Sequence, residues 1–253
     1  MNEKRKGATR VADVPADILS QLNLGTIEAA TLAENLATDL PQLMGHVFPK
    51  LLDKKVCIEP KLGITKKMAM IATLIEENYG DEKLAFMSQH NADLVRGWGA
   101  YCVAQKRDVA LSDRILQMQV FADDPHFGVR EWAWLSLRLH VVKAPLEAIE
   151  YLLPWARDSS ANIRRFAIEV MRPRGVWSAH IGLLKKEPQH AETLLNSVNA
   201  DPSKYVQDAV GNWLNDAYKT APQWVEQCCQ QWLEQSDSPA TGYIVKRGLR
   251  SVG

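Results

Sequence analysis

The chain has 253 residues with 30 basic and 30 acidic side chains, so it has no net charge to attract nucleic acid and would need a local basic patch to hold an anionic partner. Apolar residues make up 46% and charged residues 24%, which is typical of a folded globular protein and excludes disorder for most of the chain. The sequence contains no run of about 18 apolar residues, and its polar first ten residues lack a secretory signal, so we expect a cytoplasmic protein without a membrane span.

Residues 1–60 are predicted to form an N-terminal helical cap. Apolar side chains recur three or four residues apart in 14–22, 26–37 and 40–53, the spacing that places them on one face of a helix.

Residues 61–253 continue the helical pattern to the end of the sequence. No alternating apolar and polar run flanked by turn residues indicates a sheet, and the connectors are short and contain Pro, Gly, Asp and Ser. The sequence therefore predicts an all-α protein. The predicted helices are 63–79, 92–105, 109–121, 127–142, 145–157, 161–171, 178–186, 189–198, 203–219, 221–235 and 240–251.

A weak internal repeat predicts how these helices are arranged. Asp124, Asp158 and Asp201 each lie five residues before a Val or Ile, at offsets of 34 and 43 residues that are typical of HEAT-type repeats. Each Asp can accept hydrogen bonds from backbone N–H groups at a turn. Because a helix pair cannot bury its apolar face alone, we predict a HEAT-like α-solenoid, a curved stack of antiparallel helix pairs that forms a single domain over 1–253. An irregular helical bundle that reuses Asp as a cap is the alternative.

The repeat also places polar side chains on common stripes. Positions two, six and nine residues after each Val or Ile share one helix face, and in a solenoid the second helix of each pair usually lines the concave surface. A solvated convex face is the alternative interpretation. The stripes contain Glu131, Leu135 and Arg138, then Arg165, Glu169 and Arg172, then Asp208, Asn212 and Asn215, with Asp216 beside the last stripe.

Arginine is concentrated between residues 157 and 174, where five arginines and two acidic residues give a net charge of +3. Guanidinium groups are forked donors suited to phosphate, so this window is a candidate DNA-binding surface. Ion pairs on a helix surface, for example between Arg165 and Glu169, are the alternative.

One tryptophan differs from the other seven by its position. Trp177 follows the turn Arg172-Pro173-Arg174-Gly175, which would end a helix, and so lies in a predicted loop beside the basic stripe. An exposed indole can stack on a base or sugar, whereas simple packing is the alternative.

No motif for a metal or nucleotide cofactor is found. The four cysteines form no CxxC pair, the six histidines are scattered, and HExxH, GxGxxG, P-loop and GxSxG motifs are absent. We therefore expect free thiols, no metal and no cofactor.

The residues from 160 onward resemble a known family. The segments 160–177, 203–225 and 241–252 are similar to the HEAT-like-repeat DNA alkylation repair glycosylases, and are closer to the AlkC branch than to AlkD. The resemblance is strong over 125–253 and weaker over 1–124. Its motif residues are Arg164-Arg165, Glu169, Arg172-Pro173-Arg174, Trp177, Asn215-Asp216, Lys219 and Pro222-Gln223-Trp224.

The resemblance implies a monofunctional N-glycosylase that acts as a monomer, without a cofactor, on duplex DNA in the bacterial cytosol or nucleoid. Its substrates would be positively charged alkylpurines such as 3-methyladenine. By this resemblance the catalytic positions are Asp216, Glu169 and Trp177, with Glu131 as a looser match. The resemblance and the basic stripe together predict DNA contacts from Arg130, Arg138, Arg164, Arg165, Arg172, Arg174, Asn212, Asn215, Lys219 and Arg247.

Two departures from the family qualify this expectation. The AlkD branch carries a Trp-x-x-x-Asp pair, which the stretch 91–103 lacks, so AlkD-type catalysis is not expected. Some AlkC relatives add a C-terminal β-sandwich that grips DNA, whereas this sequence stops after its last predicted helix, so we expect binding without that domain. A DNA-binding repeat protein that excises no base and a protein-interaction scaffold are the alternative functions.

Overall fold

The computed structural model describes residues 5–52, 61–80 and 82–251, and within these ranges all regular structure is helical. Fifteen α-helices are joined by short connectors, so the all-α prediction is confirmed. No helix within these ranges is long and apolar enough to cross a membrane. The helices are α1 (Ala16–Leu24), α2 (Leu32–Ala37), α3 (Leu40–Val47), α4 (Ile64–Asn78), α5 (Lys83–Ser88), α6 (Asp93–Gln105), α7 (Leu111–Ala122), α8 (Phe127–Lys143), α9 (Pro145–Leu152), α10 (Ala161–Val170), α11 (Gly182–Lys186), α12 (Glu192–Asn196), α13 (Lys204–Tyr218), α14 (Pro222–Gln235) and α15 (Pro239–Gly248).

Several predicted helices are shorter than the apolar spacing indicates. The predicted helix 26–37 begins only at Leu32, because the Thr31 side chain caps the helix by accepting from the Glu34 N–H. The predicted helix 145–157 ends at Leu152, and a short 3-10 turn follows Pro154, which has no N–H to continue an α-helix. The six-residue α5 was not predicted.

The chain divides into two compact units, with the division inside α8. The first unit contains the described residues up to Asp108 together with Asp124–Ser136, and the second contains Val109–Asp123 and the described residues from Leu137 onward. The predicted boundary at residue 60 lies outside the described residues, and the single-domain assignment stays a prediction.

The core of the first unit is built around α6, in which every residue from Asp93 to Ala104 is buried. Gly97 makes this packing possible, because a Cβ atom there would lie 2.7 Å from the Trp132 ring of α8. The Trp98 side chain on the same helix is fully buried against Phe48, with ring centroids 6.3 Å apart. Close helix approach at a glycine thus allows two indoles to fill this core.

The core of the second unit is built around α13, which packs against α10 on one side and α15 on the other. Ile163 and Val206, the predicted apolar seam positions, are 1% and 0% exposed. Trp213 is also fully buried, and its indole N–H donates to the Met171 carbonyl at 2.8 Å, which satisfies the end of α10. These contacts fix α10 and α13 side by side.

The repeated aspartates close the turns that precede α8, α10 and α13, as predicted. The Oδ1 atoms of Asp124, Asp158 and Asp201 each accept a backbone N–H two residues later, at 2.7, 2.7 and 2.8 Å. This confirms the turn chemistry that the repeat indicates.

A second part of the repeat was not predicted. The residue six positions after each turn reaches back to the carbonyls of that turn, as Arg130 does to Asp124 and Pro125. Arg164 does the same for Asp158, and it also forms an ion pair with Asp201 through Nε and Oδ2 at 2.6 Å. Arg164 therefore links the turn of its own repeat to the aspartate of the next repeat, Asp201.

An N-terminal ion pair makes the stability of the first unit depend on pH. The buried Glu34 carboxylate accepts both Arg5 Nη groups at 2.6 Å and the Ala30 N–H at 2.7 Å. These hydrogen bonds, the one from Arg5 first, hold the pKa of Glu34 below its ordinary value of 4.5. The stabilisation is therefore fully present above that ordinary value and is lost as pH falls through the lower pKa of the folded protein.

We expect Glu34→Gln to lower the free energy of unfolding by about 2 kcal/mol at neutral pH, because charge-assisted hydrogen bonds are lost. The difference in the free energy of unfolding between the variant and the wild type should shrink as pH falls below 4.5. Urea unfolding of both proteins from neutral to acidic pH measures this, with Glu77→Gln at an exposed position as the matched control. A difference in the free energy of unfolding that stays constant with pH would show that the Glu34 ion pair is not the source of the pH dependence.

Candidate functional site

The second unit brings together two of the predicted catalytic carboxylates. Glu169 lies in the last turn of α10 and Asp216 lies in α13, and the guanidinium of Arg172 bridges them. Arg172 Nη1 lies 2.7 Å from Glu169 Oε1, while its Nη2 lies 2.7 Å from Asp216 Oδ2. Since α10 ends before Arg172, this side chain can turn toward α13 and contact both acids.

Both carboxylates are buried among cations. Glu169 and Asp216 are 3% and 5% exposed. Burial acts to lower the pKa of Arg172, but the two carboxylates outweigh it, so the pKa lies above its ordinary value. The ion pairs therefore keep this arginine charged in a buried setting.

Arg172 contacts only one oxygen of each carboxylate. Glu169 Oε2 has only a longer ion pair, 3.7 Å to Arg165 Nη2. Asp216 Oδ1 is 3.9 Å from the ammonium of Lys219, whose side chain is half-exposed. These two oxygens are the carboxylate atoms that Arg172 does not contact.

Trp177 lies on the loop between α10 and α11, and its ring is 59% exposed. The ring makes no hydrogen bond or aromatic contact with any residue in the described ranges. Its backbone φ is 60°, a left-handed conformation that is unfavourable for a bulky residue. Gly175 shapes this turn, because a Cβ atom there would lie 2.2 Å from Ser178 Oγ. A strained backbone that presents an exposed indole is typical of a ligand-contacting loop.

Arg138 does not contact DNA as predicted, because its side chain is fully buried. The guanidinium donates to the carbonyls of Val170, Arg172 and Ala179. A group without exposed atoms cannot reach a phosphate, so this prediction is wrong.

Three other predicted DNA contacts are used within the protein. Arg164 donates to Asp201 and to two carbonyls of its own turn, and Arg130 donates to two carbonyls of the equivalent turn. Asn215 is 3% exposed, and its amide donates to the Gly248 carbonyl and to Ser251 Oγ. These hydrogen bonds hold the repeats and the end of α15. The burial of Asn215 contradicts its predicted DNA contact, whereas Arg130 and Arg164 are partly exposed and their DNA contacts stay predictions.

The remaining predicted DNA contacts keep part of their side chains at the surface around the carboxylates. Arg165 stacks on the Tyr205 ring at 4.3 Å, Arg174 donates to the Asp216 carbonyl at 3.2 Å, and Arg247 Nε lies 3.5 Å from Asp208. One exposed arginine was missed. Arg250 donates to the Asn212 side chain at 3.1 Å. Burial, Arg247 and Arg172 all act to lower the pKa of Arg250, which shows that these cations lie near one another.

Linked contacts make this set a continuous basic surface in the second unit, with three acidic side chains among six cations. We call it the basic surface. It consists of Arg165, Arg172, Arg174, Lys219, Arg247 and Arg250, with Glu169, Asp208 and Asp216.

Glu131, the fourth predicted catalytic residue, belongs to the first unit. It is half-buried in α8, and its Oε2 accepts the Trp134 indole N–H at 2.8 Å.

No group of three His, Cys, Asp or Glu side chains within the described ranges is arranged to hold a metal ion. Cys102, Cys228 and Cys229 are buried free thiols, and burial raises the pKa of each to about 12. A thiol with such a pKa is a poor nucleophile. Cys57 lies outside the described residues.

Residues 129–246 match the family model of the DNA alkylation repair enzymes. The match covers a little under half of the chain. The predicted resemblance is thereby confirmed, and the matched region includes Glu169, Arg172, Trp177 and Asp216.

A curated relative of this chain is YhaZ of Bacillus subtilis strain 168, an uncharacterized protein. The two are 35% identical over 104 residues, which is 41% of this chain and 29% of YhaZ. The chain thus aligns with less than a third of that relative.

Two solved structures share the fold. AlkC of Pseudomonas fluorescens, an alkylpurine DNA glycosylase solved with DNA containing an abasic site analog, is 22% identical, with a TM-score of 0.66 over 97% of this chain and 65% of that chain. AlkD2 of Streptococcus mutans is 20% identical, with a TM-score of 0.62 over 82% of this chain and 98% of that chain. These matches confirm the HEAT-like α-solenoid fold, with AlkC the more similar of the two, as predicted.

Proposed function

We propose that this protein is a DNA N-glycosylase that excises positively charged alkylpurines of the 3-methyladenine type from duplex DNA. The proposal rests on one observation above all. The family-matched region holds two buried carboxylates, Glu169 and Asp216, among the cations of the basic surface, and an exposed indole, Trp177, on the loop that leaves α10. AlkC, whose fold is similar, is itself an alkylpurine DNA glycosylase solved with DNA, which supports the same reading.

The chemistry of the substrate fits this small set of groups. A purine alkylated at N3 already carries a positive charge, so it can leave without being protonated. The protein must then stabilise a sugar with oxocarbenium character and place a water molecule for attack. Carboxylates held near the sugar do this electrostatically, without metal or cofactor.

In this proposal each group has one role. The oxygens that Arg172 leaves outside its grip, Asp216 Oδ1 and Glu169 Oε2, stabilise the cationic sugar and orient the water. Trp177 packs on the lesion nucleotide. The half-exposed cations of the basic surface hold the phosphate backbone, and we propose that the protein acts as a monomer.

Release of 3-methyladenine from methylated duplex DNA tests the function. We expect the purified wild type to release the base well above the spontaneous rate, and the variant that combines Glu169→Gln with Asp216→Asn to lose most of this release. Chromatography of the freed bases measures it. Duplex binding by wild-type protein without any base release would contradict the proposal.

One observation favours a second function, DNA binding without excision. Both carboxylates are held by Arg172, which is how acids that only shape a binding surface would be arranged. In that case duplex affinity would fall steeply as salt rises, with no base released. A protein-interaction scaffold would have no affinity for duplex, so the salt titration and the base-release assay together separate all three functions.

A further inference from the structure

Arg138 is a buried cation without a carboxylate in direct contact. Its side chain has no exposed surface, and its guanidinium donates only to backbone carbonyls. Nη1 lies 2.6 Å from the Val170 carbonyl oxygen and Nε lies 3.0 Å from that of Ala179. Burial, with Arg172 as a neighbouring charge, lowers the pKa of Arg138 to about 10.

Burying a cation costs desolvation free energy, so the contacts that Arg138 makes indicate why an arginine is present. A buried charge is tolerated only when its donors are well satisfied, and an apolar side chain of similar size would fill the same space without that cost. The structure therefore offers no packing reason for an arginine at this position.

The three carbonyls mark the two ends of one loop. Val170 is the last residue of α10 and Arg172 follows it by two residues, whereas Ala179 lies seven residues beyond Arg172. The Ile181 N–H donates to the Pro173 carbonyl at 3.1 Å and closes the same loop from the other side. Between these ties lies Trp177 with its left-handed φ, a conformation that persists only where the surroundings enforce it.

The same contacts reach the carboxylates. Arg138 holds the Arg172 carbonyl, and the Arg172 side chain holds Glu169 and Asp216. Arg138 is therefore linked to both carboxylates through a single residue, Arg172.

We propose that Arg138 is the positioning residue of the site, which clamps the loop 171–181 so that Trp177 and Arg172 keep the geometry needed for base release. This inference rests on the proposed function for its effect on catalysis, while its effect on the loop is independent of it. The clamp acts through backbone carbonyls and contacts neither substrate nor DNA.

Two readouts on Arg138→Met test the clamp. Methionine keeps much of the length of the side chain but donates no hydrogen bond. We expect trypsin to cleave the Arg174–Gly175 bond about tenfold faster in the folded variant, because the loop opens. We expect base release at saturating protein to slow by about tenfold to 100-fold, because misplaced groups lose the aligned geometry.

Three comparisons separate the clamp from a general loss of structure. Cleavage at Arg107–Asp108, in the exposed turn after α6, should stay within about twofold of the wild type. Duplex affinity should fall by less than base release does, since Arg138 itself touches no phosphate and only the cations of the loop are released. Arg138→Lys, which keeps the charge but loses the fork, should fall between the wild type and Arg138→Met in both readouts.

The experiment distinguishes a failure of the Arg138 clamp from a failure of the proposed glycosylase function. Unchanged cleavage at Arg174–Gly175 overturns the clamp, whether or not the wild type releases bases. Faster loop cleavage with unchanged base release overturns its role in the site. A wild type that releases no base contradicts the proposed function, and the loop cleavage alone then decides whether Arg138 is the clamp.

Discussion

Replacement of Arg172 by Met is expected to lower the free energy of unfolding by about 3–5 kcal/mol, because it leaves two buried carboxylates without their shared partner. Glu169 and Asp216 are nearly inaccessible to water, so neither can recover its hydration without local opening. Guanidinium chloride unfolding measures the change. Arg107→Met, at an exposed position, is the matched control and should change stability by less than about 0.5 kcal/mol.

The same argument predicts a rescue. Glu169→Gln and Asp216→Asn remove the two charges but keep the shapes, so combining them with Arg172→Met should restore a large part of the lost stability. A single Arg172→Met variant as stable as the wild type would show that this arginine does not hold the two acids together.

Asp216→Asn is expected to slow base release by about 100-fold to 1000-fold, the effect of removing one preorganised charge-stabilising group. Asparagine keeps the size of the side chain but cannot oppose the positive charge on the sugar. Single-turnover release of 3-methyladenine with protein in excess measures this rate separately from DNA affinity.

The control for this variant is Asp237→Asn, at an exposed position between α14 and α15. It should leave the release rate within about threefold of the wild type. Equal release by the wild type and Asp216→Asn would remove Asp216 from the chemistry, and the same assay on Glu169→Gln would then test the other carboxylate.

The fold could be predicted because its signals are local. Apolar spacing marks the long helices, and the Asp of each repeat caps its turn within two residues, as Asp158 does for Ser160. The short α5 could not be predicted, because six residues are too few to show a helical period. The Thr31 cap that starts α2 is local, but the residues before it are held by a distant contact, the hydrogen bond from the Ala29 N–H to Asp93 at 2.9 Å, which no local pattern reveals.

The site could be predicted in part. The stripe spacing and the family resemblance placed Glu169 and Asp216 together, but residue type alone cannot show which arginine pairs with an acid. Arg138 and Arg174 look alike in sequence, although one is buried and the other lies at the surface. The apolar residues around Arg138 in α8 were the available signal, because a helix that is apolar on most faces is buried.

The structure of the protein bound to duplex DNA with an abasic-site analogue tests the central claim most directly. We expect one of the two carboxylates to lie about 3.5 Å from the sugar of the abasic nucleotide, with the Trp177 ring against that nucleotide and the phosphates along the basic surface. A complex in which the DNA lies elsewhere on the protein, with Glu169 and Asp216 still enclosed by Arg172 and Trp177 free of contact, would contradict it.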